Sequence, residues 1–208
     1  MDSIAKAWEI AETERVISRE RQREIKLSAL ISIASLILNK KGFEGISLAE
    51  IASHLGISKQ ALYHYTSSKE DLLYKCYWRA LDQAEQGYDH ADAHGKSGLE
   101  KIALFTRYQL NSDAPPWASL DNLGALTEEH RREISTRAKA LERRMRGFIT
   151  EGTADGSIAQ IDPKFAEFWI LGSLSWLPKW FQPDQGSSLE EIADSFIQMM
   201  SLGLQPRK

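Results

Sequence analysis

The chain has 208 residues, enough to bury a core as one large domain or two small ones. With 42% hydrophobic and 26% charged residues it has the mix of a soluble globular protein, not that of a disordered or membrane chain. The net charge of -3 would by itself weigh against a nucleic-acid binder. That average hides a division, because residues 1–80 carry 12 Lys or Arg against 10 Asp or Glu, while residues 81–208 carry 14 against 19. The lone Cys76 cannot form an internal disulfide, and a reducing cytoplasm is the expected compartment. No short-spaced Cys/His cluster of the structural zinc type occurs, so neither a metal nor a cofactor is expected. The acidic start (Asp2, Glu9, Glu12, Glu14) does not read as a secretion signal, and the most apolar segment, Phe165 to Phe181, is too short and too polar to span a bilayer.

Taken in chain order, the periodicity is helical throughout and no strand is predicted, so the expected fold class is all-α with about nine helices. Residues 1–20 form an extension with Ile4, Ala7, Trp8 and Ala11 on one face. Arg15, Arg19, Arg21 and Arg23 further on read either as an arm toward phosphates or a minor groove or as part of a frayed helix, offset by Glu12, Glu14, Glu20 and Glu24. From about Arg21 to Lys41, Leu27, Leu30, Ile31, Ala34, Ile37 and Leu38 recur at helical spacing, and Gly42 follows as a stop. Ser47 with Glu50 makes a capping box for a short helix from Leu48 to Leu55, Gly56 ends it, and Ser58 opens the next. Ser68 with Asp71 starts a longer helix through Leu72, Leu73, Tyr77 and Leu81. The small, polar run from Gly87 to Gly98 reads as a break between a front module, 21–87, and a rear one, 88–208. Helices resume from Leu99 to Leu110. Pro115 and Pro116 then separate elements, and a long helix carries Ile134, Ala138, Leu141, Met145 and Phe148 after Thr127. Asp162-Pro163 opens a helix to Phe181, which Pro178 should kink or end, and Ser188 with Glu191 caps the last, to about Leu204.

The stretch that carries function is Leu48 to Ser67. Two short helices crossing steeply need a glycine-tolerant turn and a small residue at their closest approach, which Gly56 and Ala52 supply. Ile51, Leu55, Ile57, Leu62 and Tyr65 form the inner contacts, which leaves Lys59, Gln60, Tyr63 and His64 outward, as a recognition helix in a major groove requires. From Leu27 to Leu73 the sequence resembles the tetracycline-repressor (TetR) family of transcriptional regulators. The resemblance rests on Gly42-Phe43, Ser47-Leu-Ala-Glu-Ile-Ala, Leu55-Gly-Ile-Ser-Lys, Ala61-Leu-Tyr-His-Tyr and Ser68-Lys-Glu-Asp-Leu72. Tyr65 stands where the family usually has Phe, and Thr66-Ser67 replaces a more frequent Pro-containing pair. The resemblance implies that Ser47, Ser58, Tyr63, His64 and Lys69 meet operator phosphates, while Lys59, Gln60 and Ala61 lie where bases are read. It also implies a double-stranded DNA operator with palindromic symmetry, a homodimer and a small-molecule effector.

In the resembled family the rear helices form the dimer interface and enclose the effector. Large aromatics with small neighbours between Trp169 and Phe181 suit a helical seam, whose expected residues are Trp169, Gly172, Trp176, Trp180, Ile192, Phe196 and Met199. The expected effector lining is Phe105, Tyr108, Trp117, Leu123, Phe148, Phe168 and Trp169, with Arg107, His130 or Arg131 as anionic anchors. The rear segment resembles family members that answer to lipid-derived or acyl-thioester ligands. Arg143, Arg144 and Arg146 read as a solvated face, with use by an anionic effector as the alternative. A helical enzyme is the competing class, but no Gly-x-Ser-x-Gly elbow, phosphate-binding glycine loop or His-Glu-x-x-His pair occurs. The nearest metal-like pattern, Asp89-His90-Ala-Asp92-Ala-His94, lies in the expected connector. A helical adaptor that does not bind DNA is the third class. The reading is a cytoplasmic, non-enzymatic regulator, most often a repressor in this family, with no membrane partner.

Overall fold

A computed structural model describes residues 19–111, 117–181 and 186–204. The described residues form eight α-helices and one 3-10 turn, with no strand among them. The all-α reading holds, with eight helices against the nine expected; residues 1–18 of the extension and Pro115-Pro116 lie outside the described residues.

Among the described residues two compact units separate by contact. One takes the residues up to Ala80 together with 117–134, and the other takes Leu81 to 111 together with Ser135 onward. In the first unit, helix α1 (Arg19–Gly45) buries Leu30, Ile33, Ala34, Ile37 and Leu38 along one stripe. Gly42 stops it as expected, since its φ of 70° lies in the left-handed region, and a last turn beyond the kink carries Phe43 into the core. Helices α2 (Leu48–His54) and α3 (Lys59–Leu62) follow, then α4 (Lys69–His94) begins. Arg79 of α4 ties back to α1, its guanidinium donating to the Ser28 carbonyl and the Ser32 hydroxyl at 2.9 Å each. Cys76 is buried, which pushes its thiol up to about 11 and makes it a core group without reactivity.

The polar run from Gly87 to His94, expected to interrupt the chain, is a correction. Helix α4 continues through it to His94 because Tyr88 and Ala91 face inward while Asp89 and Asp92 engage Arg144. Gly87 acts here as a contact residue. A Cβ at that position would lie 2.7 Å from Gln109 Nε2 and 3.3 Å from Phe105, so its absence lets α4 approach α5 (Gly98–Gln109).

In the second unit, α5, α6 (Glu128–Asp155), α7 (Pro163–Trp180) and α8 (Leu189–Leu204) complete the chain, with α6 entering it at Ser135. The 3-10 turn Leu123–Ala125 belongs to the first unit. Asp162 caps α7 by accepting from the Lys164 N–H at 2.9 Å, and Pro178 lies two residues before the helix end. The start of α5 packs backbone to backbone on the end of α6: Gly98 N–H donates to Asp155 at 2.9 Å, and a Cβ on Gly98 would sit 2.2 Å from Gly152 N. Among the described residues no helix is long and apolar enough to cross a membrane.

Candidate nucleic-acid interface

The turn between α2 and α3 follows from a few local bonds. The Ser47 hydroxyl accepts from Glu50 N–H at 3.1 Å and starts α2. At its other end Gly56 takes φ 67°, its N–H reaches the Ser53 carbonyl, and Ile57 N–H reaches the Ala52 carbonyl at 3.0 Å. This double closure satisfies the last carbonyls of α2 and reverses the chain within one residue. The Ser58 hydroxyl then accepts from Ala61 N–H at 3.1 Å and starts α3. Ile51, Ala52, Leu55 and Leu62 are buried between the helices, as their spacing predicts.

Regular α-helix spans only Lys59–Leu62, and Tyr63 to Tyr65 continue as tight turns bonded to Gln60, Ala61 and Leu62. Ser47, Ser58, Lys59, Gln60, Tyr63 and His64 are exposed and Ala61 is half-buried. Tyr63 leaves 48% of its surface open, a large share for an aromatic ring, and Lys59 Nζ lies 6.0 Å from its centre. Lys69 stands apart from this group. Its Nζ lies 4.3 Å above the Phe43 ring and donates to the Glu44 carbonyl at 3.4 Å, so it braces the corner after Gly42.

One network was not legible in the sequence. Asp71 accepts from Ser67 N–H and Lys75 Nζ, both at 2.7 Å, and from the Thr66 and Ser67 hydroxyls at 3.1 Å each. Lys75 also donates to the Tyr65 carbonyl at 3.0 Å, so the chain leaving α3 is fastened to α4. Burial opposes the charge of Asp71, but these donors outweigh it and hold the carboxyl below its ordinary value of 3.8. The Ser68–Asp71 capping pattern was readable, whereas Lys75 one turn further on carried no signal.

The expected effector residues fall in both units. Trp117, Leu123, His130 and Arg131 belong to the first. There the Trp117 carbonyl accepts from Asn39 at 2.7 Å, His130 stacks on Tyr74 at 3.9 Å, and Arg131 pairs with Glu128. In the second unit Phe105 and Phe148 are buried around the Tyr88 ring, at 4.2 and 5.7 Å, and Tyr108 donates to Gln86. Arg107 pairs with Asp194 at 2.7 Å, while Phe168 and Trp169 lie on the exposed face of α7. Of the expected seam, Trp176 is 65% exposed; Trp169, Gly172, Trp180 and Met199 are exposed too, Phe196 is half-buried and Ile192 is buried.

The basic run of α6 is a second correction. Arg143 is exposed, but Arg144 holds Asp89 and Asp92 at 2.7 Å each, and Arg146 donates to Glu167 at 2.5 Å. Glu167 is 1% exposed, so Arg146 supplies its counter-charge; helical periodicity alone could not locate that partner. His90 and His94 share a helix face with rings 4.4 Å apart, yet no group of three His, Cys, Asp or Glu among the described residues could hold a metal. Sequence reasoning also missed two buried polar groups, the Gln83 amide and the Tyr88 hydroxyl. An unmade buried hydrogen bond of this kind costs about 1–3 kcal/mol.

Two family models match the chain. One, described as bacterial regulatory proteins of the tetR family, covers residues 30–76, and the other, a tetracyclin repressor-like C-terminal domain, covers residues 100–204. The HTH-type transcriptional repressor KstR2 of Rhodococcus jostii strain RHA1 is 24% identical over 185 residues, spanning 84% of this chain and 89% of that protein. The crystal structure of AibR in complex with isovaleryl coenzyme A and operator DNA is similar with a TM-score of 0.69 at 27% identity, over 84% of this chain and 97% of that one. The ketosteroid transcriptional regulator KstR2 of Mycobacterium tuberculosis shares the fold, with a TM-score of 0.75 at 16% identity over 88% and 96% of the two chains.

Proposed function

Because the chain belongs to the TetR family of bacterial regulatory proteins, we propose that it is a homodimeric repressor that binds a palindromic operator and releases it on binding a small apolar or acyl-thioester effector. The observation that carries the DNA reading is the outward polar face Ser58-Lys59-Gln60 with Tyr63 and His64, presented by a short helix whose inner side is buried. Ser47, Ser58, Tyr63 and His64 offer hydroxyl and ring N–H groups to phosphates, Lys69 adds a positive charge from its seat against Phe43 and the Glu44 carbonyl, and Gln60 has the donor and acceptor to pair with an adenine edge beside Lys59 and Ala61. The complex of AibR with isovaleryl coenzyme A and operator DNA supports an effector of the acyl-thioester class. No catalytic role is assigned to any residue.

Ligand binding shifts the population between two dimer states that differ in the separation of their recognition helices, so the effector must bind the DNA-free state more tightly. The test is affinity for a selected operator duplex at fixed salt. Tyr63→Ala and Lys69→Ala weaken binding to every sequence about tenfold, whereas Gln60→Ala changes which base is preferred at one position of each half-site. Unchanged affinity in the Tyr63 and Lys69 variants contradicts the assignment.

A further inference from the structure

Helix α3, which carries the outward polar face, has little of its own to hold it in place. Its regular part is the four residues Lys59–Leu62, and the N–H groups of Tyr63, His64 and Tyr65 reach back only to the carbonyls of Gln60, Ala61 and Leu62. A helix of one turn is not stable by itself, because nucleation fixes several dihedrals for the first bond gained. Its orientation therefore comes from Leu62, which is buried, and from the anchors at its two ends. At the start the Ser58 hydroxyl accepts from Ala61 N–H.

The anchor at the far end comes from α4. Lys75 Nζ sits between the Tyr65 carbonyl, at 3.0 Å, and Asp71 Oδ2, at 2.7 Å. The same carboxylate oxygen accepts from Ser67 N–H at 2.7 Å and lies 3.1 Å from the Thr66 hydroxyl. Thr66 is 2% exposed and its hydroxyl also lies 2.9 Å from the Ser68 carbonyl, so the residue after Tyr65 is pinned on the inside. Asp71 and Lys75 are themselves half-buried and are spent on backbone groups and on each other. Lys75 thus holds the carbonyl that ends the turn carrying Tyr63 and His64. A rotation about Tyr65 would swing both of these side chains, and binding groups must be held to within about 0.5 Å to keep their hydrogen bonds.

We propose that Asp71 and Lys75 are positioning residues for operator recognition: neither meets DNA, and together they hold the turn at 63–65 where Tyr63 and His64 reach phosphates and Gln60 reaches a base edge. The inference rests on the DNA-binding reading above and adds the residues outside the polar face that set its geometry. Its sign separates it from a purely electrostatic role. Asp71→Asn removes a negative charge, which by charge alone strengthens binding to any duplex, and Lys75→Met removes a positive one, which by charge alone weakens it. Loss of position weakens operator binding in both.

The test is titration of the full chain and its variants, at fixed salt, with two duplexes of equal length, one selected from a random library by the wild-type chain and one of random sequence. Each variant is measured at a temperature where its circular dichroism matches the wild type. Asp71→Asn and Lys75→Met each bind the selected duplex about tenfold more weakly, while binding to the random duplex changes by less than about threefold, so preference is lost and charge attraction is not. Lys75→Arg, whose guanidinium has donors for both acceptors, keeps that preference to within about threefold. Tighter binding of both duplexes by Asp71→Asn, wild-type preference in Asp71→Asn or Lys75→Met, or a Lys75→Arg chain as impaired as Lys75→Met overturns the proposal. If Asp71→Asn does not fold, the contrast between Lys75→Met and Lys75→Arg decides by the same criterion. A wild type that selects no duplex rejects the DNA-binding reading and this inference with it, whereas a wild type that selects one while the variants match it rejects the positioning role alone.

Discussion

At the scale of single residues, charged and polar groups in the first unit are held by several partners each, and Asp71 is the clearest case. Four donors from Thr66, Ser67 and Lys75 converge on one carboxyl, and together they fix the turn that follows the recognition helix. Because the folded value lies below the ordinary 3.8, this stabilisation is complete above that value and is lost as pH falls through the folded one. Asp71→Asn therefore melts lower than wild type at pH 7, by about 1–2 kcal/mol in stability. In thermal melts followed by circular dichroism the gap closes as the pH drops below 3.8. A gap that is the same at pH 7 and at low pH would mean that the charge is not what holds the turn.

At the scale of elements, glycines divide into those that turn the chain and those that let helices touch. Gly42 and Gly56 meet nothing within 4 Å and are required only for their left-handed backbone. Gly98 is required for space, because a Cβ would press on Gly152 N and the Phe148 carbonyl, both at 2.2 Å. Gly98→Ala thus costs about 1–3 kcal/mol in stability by denaturant titration. By contrast Gly147→Ala, at an exposed helical position with nothing within 4 Å, gains up to about 1 kcal/mol. Equal effects would contradict the packing account of Gly98. The same division explains what the sequence made legible. Caps at Ser47, Ser58 and Asp162 and stops at Gly42 and Gly56 act within a few residues of themselves, so their patterns can be read locally. Continuation of α4 past Gly87 depends on Arg144, which lies more than fifty residues away in sequence, and the buried Glu167 depends on Arg146. Such partners leave no periodic trace. The outward placement of Lys59 and Gln60 was readable from helix geometry, and Tyr63 and His64 keep it through the tight turns that follow, while Tyr88 gains its character from the rings around it.

At the scale of the whole molecule, the net charge of -3 is the sum of a mildly basic front and an acidic rear, so it does not count against a DNA-facing module. On the proposed reading, so small a positive excess puts the weight of DNA binding on a few placed contacts, with modest and salt-sensitive affinity for random DNA. The exposed stripe Phe165, Phe168, Trp169, Trp176 and Trp180 on α7, with Met199 and Leu202 on α8, supports pairing of two copies. Trp176→Asp yields a monomer by light scattering and lowers operator affinity at least about a hundredfold, since each half-site must then be bound alone. A dimer that survives this change places the interface elsewhere. The central claim, that two copies of the chain read symmetric DNA through Lys59 to Tyr65, is tested most directly by selecting bound duplexes from a random library with the purified chain. The account predicts enrichment of one sequence made of two inverted half-sites; recovery of unenriched duplexes, or of a single unrepeated site, would contradict it.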